Sequence, residues 1–133
     1  MIEIENDVFS TVATALRTAH EGVFVSSEYV NAPPHFPAVS IIENGNSVVT
    51  RYRTLNIENA ARVMFECNIY SDKPAGAKEE AKAVCATLDT AFAGIGFTRV
   101  SRNQVTNFND TRIYRIVCRY EAIVDKDLWI YHN

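Results

Sequence analysis

Between residues 61 and 95 the sequence changes period, and that change restricts the fold more than any other feature. Ala61, Val63, Phe65, Cys67 and Ile69 alternate with Arg62, Met64, Glu66, Asn68 and Tyr70. Period-two alternation places successive side chains on opposite sides of a strand. Ser71 to Gly76 then interrupts the pattern with Pro74 and Gly76. From there Ala81, Val84, Cys85, Leu88, Ala91, Phe92 and Ile95 recur at helical spacing, which defines an apolar stripe along a helix over about Ala77–Ala93. A strand with one apolar face followed by a helix with one apolar stripe has a direct solution: each covers the other. Pro74 suits the first turn of that helix, where its missing N–H would have no partner. Gly94 and Gly96 end the helix.

The flanks extend the pattern. Val8, Val12, Ala15, Leu16 and Ala19 form a first helical stripe, with Asn6 or Asp7 as the capping side chain and His20-Glu21-Gly22 as its end. His20 fits a helix C-terminus, where an imidazole complements the dipole. Val23–Val30 reads as a strand, and Asn31–Pro37, with three prolines, as a loop. Ala38–Glu43 reads as a second strand, closed by the turn signal Asn44-Gly45-Asn46. Residues 45–60 lack clean periodicity and read as an extended arm carrying Arg51-Tyr52-Arg53. Phe97–Val100 begins a strand, followed by a polar loop through Asn103, Asn107, Asn109 and Asp110. Arg112–Val124 is a long strand with Tyr114, Ile116, Cys118, Tyr120, Ala122 and Val124 on one face. Arg115 and Arg119 lie opposite, within reach of Glu66 and Glu121 for cross-strand ion pairs. Asp125 to Asn133 is a C-terminal tail.

The expected fold is therefore α+β. Two helices pack on one face of a mostly antiparallel sheet of four to five strands, in the order α-β-β-β-α-β-β. The 133 residues suit a single domain spanning 1–133. The opposite sheet face mixes charge with Met64 and Tyr70 and suits a protein partner.

The residues supply no catalytic constellation. His20, His35 and His132 form no paired metal-ligand motif, and no glycine-rich phosphate loop occurs. Cys67, Cys85 and Cys118 all fall on apolar faces and read as buried free thiols in a reducing compartment. On its buried stripe, Cys85 is expected to have a raised pKa and low reactivity. The expectation is no catalytic residue, no metal and no cofactor. A net charge of −3 and a pI near 5.6 argue against direct nucleic-acid recognition. No apolar run is long enough to span a membrane and no signal peptide precedes the first helix.

Charge is unevenly divided. Residues 1–50 hold six acids against one base, while residues 51–133 hold ten acids against twelve bases. Two readings stand: unlike patches that meet between copies, or scattered solvated charge. Leu128-Trp129-Ile130-Tyr131 also has two readings. It either pairs at the sheet edge and fills the core, or inserts Trp129 and Tyr131 into a neighbouring subunit. Arg51, Tyr52, Arg53, Trp129 and Tyr131 are the candidate interface residues.

Several segments resemble a known family. These are Asp7-Val8-Phe9-Ser10, Asn68-Ile69-Tyr70-Ser71-Asp72-Lys73, Gly76-Ala77-Lys78, Gly96-Phe97-Thr98-Arg99 and Asp110-Thr111-Arg112-Ile113-Tyr114-Arg115. Together they are similar to the small tail-completion, or tail-terminator, proteins of long-tailed bacteriophages and prophages, often labelled minor capsid proteins. The resemblance runs from the first helix to residue 125. It implies helices on one face of a mixed or antiparallel sheet, and a structural virion protein with no catalytic residues. It further implies a hexameric ring that caps the head-proximal end of the tail tube, ends tube polymerisation and joins the tail to the head connector. The partners implied are copies of the chain itself, the tail tube protein and the connector proteins. The protein would be made in the host cytoplasm and end in the virion. Other phage neck or tail assembly roles, and a small non-catalytic ligand-binding module, are the alternatives.

Overall fold

The computed structural model describes residues 1–30, 32–50, 59–106, 110–128 and 130–131. Its elements are α1 (Glu5–Ala19), β1 (Phe24–Ser26), β2 (Ala38–Val48), β3 (Ala60–Ser71), α2 (Ala77–Gly94), β4 (Thr98–Thr106), β5 (Tyr114–Asp125) and β6 (Ile130–Tyr131). The strands form one sheet in the order β1-β2-β3-β5-β4, with the two-residue β6 pairing to β5. Every pairing is antiparallel except β1 with β2. The fold is α+β, as the alternation and the helical stripes require.

The two periodic segments behave as their spacing demands. Val63, Phe65, Cys67 and Ile69 of β3 are fully buried, as are Ala81, Val84, Leu88 and Phe92 of α2. They share one core with Val8, Val12 and Leu16 of α1 and with Ile116, Cys118, Tyr120, Ala122 and Val124 of β5. An aromatic cluster fills its centre. Phe92 stacks on Tyr120 with ring centroids 4.2 Å apart, and Phe97 meets both Phe65 and Phe92 edge-on. β3 and β4 both run antiparallel to β5, so they are parallel to each other. Two parallel strands need a crossover connection, and α2 supplies it above β5. That geometry brings α2 side chains down onto β5.

Several boundaries differ from the sequence expectation, each for a local reason. Helix α1 begins at Glu5, with Ile4 at the N-cap and no side-chain cap; Asn6 and Asp7 lie inside its first turn. Ile2 and Ile4 are buried, so burial of this segment extends the helix ahead of the polar capping candidates. His20 is the C-cap through its backbone N–H to the Leu16 carbonyl. Its ring, however, reaches across to Thr87 of α2, with Nε2 2.8 Å from Oγ1. Strand β1 covers three residues of the expected eight because Ser26 Oγ turns the chain by bonding the Glu28 backbone.

Asn44-Gly45-Asn46 is not a turn. The ladder with β3 continues from Glu43↔Phe65 to Gly45↔Met64, leaving Asn44 as an extra residue. This is a β-bulge. Of the expected arm over 45–60, residues 45–48 belong to β2 and residue 60 to β3, and residues 51–58 lie outside the described residues. Pro74 precedes α2, whose N-cap is Gly76 at φ +92°. β4 runs to Thr106, through the expected polar loop. Its side chains are largely exposed on both sides, so backbone pairing with β5 holds it without a buried face. β5 starts at Tyr114 because Asp110 accepts hydrogen bonds from the Arg112 amide and guanidinium and turns the chain first.

Candidate subunit interface

Sheet edges offer unpaired backbone groups to another chain, and this sheet presents two unlike ones. The first is β4. Among the described residues no strand covers its outer side, and the strand is mostly polar or basic: Arg99, Arg102, Asn103 and Gln104 are exposed, and Val100 is half exposed. Arg99 is held by Asp89 of α2 at 3.2 Å.

The second is β2. Strand β1 pairs only with Ala38, Val39 and Ser40. Beyond Ser40, no strand lies on the outer side of β2 among the described residues. The N-terminal segment sits beside it, with Asn46 Nδ2 donating to the Ile2 carbonyl at 2.8 Å. Glu3, Glu5 and Glu43 gather there. Burial, then a hydrogen bond with Glu5 and the charges of Glu5 and Glu3, push the Glu43 carboxyl up to about 7; Asn46 pulls it the other way. Three of the six acids of residues 1–50 thus gather at one edge of the sheet, and the opposite edge strand carries Arg99, paired with Asp89, and Arg102.

The outer sheet face is already neutralised by its own cross-strand pairs. Arg119 meets Glu66 at 3.2 Å and Arg62 meets Glu121 at 3.3 Å. Arg115 donates twice to Asn68 Oδ1 and lies over the Tyr70 ring, its Cζ 5.7 Å from the centroid. The anticipated ion pairing of Arg119 with Glu66 is therefore present, while Glu121 takes Arg62 and Arg115 takes a neutral amide. Exposed pairs of this kind contribute about 1 kcal/mol or less each, but they leave this face little surplus charge for a ligand. An open cleft of about 540 Å³ lies near Pro74, Asp110 and Arg112. Its arginine is bound bidentately by Asp110. Among the described residues no group of three or more His, Cys, Asp or Glu side chains is placed to hold a metal ion, and no helix is long and apolar enough to cross a membrane.

Of the interface residues expected from sequence, Arg51, Tyr52, Arg53 and Trp129 lie outside the described residues. The Tyr131 backbone pairs with Ile123 in β6, beside Ile130, which packs against the core. Sequence reasoning missed the two edges as sites. The signal was present in the acid surplus of the N-terminal part, but the grouping of Glu3, Glu5 and Glu43 needs the β2 register to appear.

Comparison with known families gives a match over most of the chain. A model described as tail completion protein gp17 matches residues 9–125. No curated protein matches at a significant level.

Proposed function

The chain belongs to the tail completion protein gp17 family, a family of phage tail assembly, and from that premise we propose that it caps the head-proximal end of the tail tube as a ring of its own copies. The ring ends tube polymerisation and presents a surface to the head connector. It acts by shape and contact, without catalysis or a cofactor. Its partners are neighbouring copies, the tail tube protein and connector proteins, and its destination is the virion.

The observation that carries the ring is the pair of unlike edges. A closed ring needs a head-to-tail contact between two different patches on each subunit. The β4 edge, with Arg99 and Arg102, complements the β2 edge, with Glu3, Glu5 and Glu43. Strand addition supplies the affinity through main-chain hydrogen bonds, and the charges select the β4–β2 contact over β4–β4 or β2–β2. Six copies joined in this way form the expected hexamer. The segment after β2, with Arg51, Tyr52 and Arg53, reaches a neighbour or the tube below, and Trp129 and Tyr131 add aromatic contacts from the tail.

A charge swap tests this reading. Arg99→Glu with Arg102→Glu should lower capping of purified tail tubes at least tenfold, and so should Glu3→Lys with Glu43→Lys. Combining all four should restore most of it, scored by electron microscopy of capped tubes. If neither pair of substitutions changes capping, the edge contact is wrong. Replacing Arg51, Tyr52 and Arg53 together by alanine should abolish capping while the free protein keeps its melting transition.

A further inference from the structure

Three thiols meet under α2, and two of them touch. Cys118 on β5 and Cys67 on β3 are register partners across the sheet. Cys85 descends from α2, and its Sγ lies 3.1 Å from Cys118 Sγ. All three are free and buried. Cross-strand neighbours hold their Cβ atoms about 4.5–5.5 Å apart, wider than the ~3.8 Å typical of a disulfide. The helix-to-strand pair already has its sulfurs in contact. Cys118 has a second neighbour in register, Arg102 of β4, whose positive charge acts on the Cys85 thiol.

We infer that Cys85 and Cys118 form an oxidation site whose co-substrate is a small hydroperoxide, with Cys85 as the attacking sulfur and Cys118 as the resolving one. The division of labour follows from the surroundings. The hydrogen bond from Cys118 and the charge of Arg102 hold the Cys85 thiol below its usual range, against the opposing effect of burial. This corrects the sequence expectation of a raised pKa at that position. Cys118 is pushed up, first by its bond to Cys85 and then by burial. Burial pushes Cys67 up as well, and it has no such cation. In the first step the Cys85 thiolate attacks one peroxide oxygen. The O–O bond breaks, and the leaving hydroxide takes up the thiol proton to become water. Cys85 is then a sulfenic acid. In the second step Cys118 sulfur attacks Cys85 sulfur. The S–O bond breaks, and the hydroxide departs as a second water carrying the Cys118 proton. The two sulfurs lose two electrons in total and the peroxide gains them. The product ties α2 to β5. Because the bond closes a long loop, it restricts the unfolded chain more than the folded one.

The test uses the full chain with hydrogen peroxide. After treatment and unfolding in a maleimide, the protein should take up one label instead of three. Peptide mapping should join the Cys85 and Cys118 peptides, and the melting temperature should rise by about 5 °C or more. Arg102→Ala, at an exposed position, should slow bond formation severalfold while yielding the same linked peptides. Three labels after treatment, a linkage through Cys67, or an unchanged rate in Arg102→Ala would each overturn the assignment.

Discussion

Glu43 faces like charge where most half-buried carboxylates face a counter-ion. Its folded pKa, about 7, lies above its ordinary 4.5. A carboxyl raised in this way stabilises the fold fully below the unfolded value, and that contribution is lost as pH rises through about 7. Glu43→Gln fixes the neutral form. It should therefore match the wild type near pH 4 and exceed it increasingly towards pH 8, by about 1 kcal/mol or less because the group is mostly solvated. Thermal melts across that range check the sign. Gly96 makes a second residue-scale case. It sits at φ +91°, and a Cβ there would lie 2.8 Å from Ile130 Cγ2. Gly96→Ala should cost about 2 kcal/mol in denaturant unfolding, from backbone strain and displacement of β6 together.

At the scale of elements, the β2 bulge separates two kinds of residue. Asn44 has no register partner, whereas Ile42 pairs with Glu66 inside the ladder. Deleting Asn44 would leave Glu43↔Phe65 and Gly45↔Met64 consecutive. Deleting Ile42 shifts Val39 and Ile41, both in the core, and a one-residue slip reverses every side chain. The first deletion should cost at least about 2 kcal/mol less than the second. The same contrast explains which elements were legible in the sequence. β3, α2 and β5 each bury one face, so their period is written in apolar residues. β4 buries almost nothing, so only its first residues, up to Val100, read as a strand and the rest as a polar loop. Asn44-Gly45-Asn46 has the composition of a hairpin turn, and only the partner strand converts it into a bulge. Asn6 and Asp7 have the chemistry of caps, but two buried isoleucines ahead of them set the helix start. The site was less legible than the fold. Charge imbalance between the two parts of the chain is visible in composition, yet its placement on opposite edges depends on strand order.

For the whole molecule, polarity is the main property: an acidic edge, a basic edge and a self-neutralised face between them. If the charges at the edges guide ring closure, screening should weaken it. Raising salt from about 0.05 to about 0.5 M, which shortens the Debye length to a few ångströms, should reduce capping in the wild type. It should instead relieve the defect of the singly reversed edge variants, since repulsion is screened equally. Sedimentation of tubes with labelled protein reads both effects.

Strand order also governs when a growing chain can close its sheet. The inner side of β4 stays unsatisfied until β5 inserts between it and β3, and β5 follows β4 in the chain. A chain still emerging from the ribosome thus cannot complete the core or pair β4 until Tyr114–Asp125 has been made. A fragment that stops before β5 therefore leaves β4 without the strand that holds it.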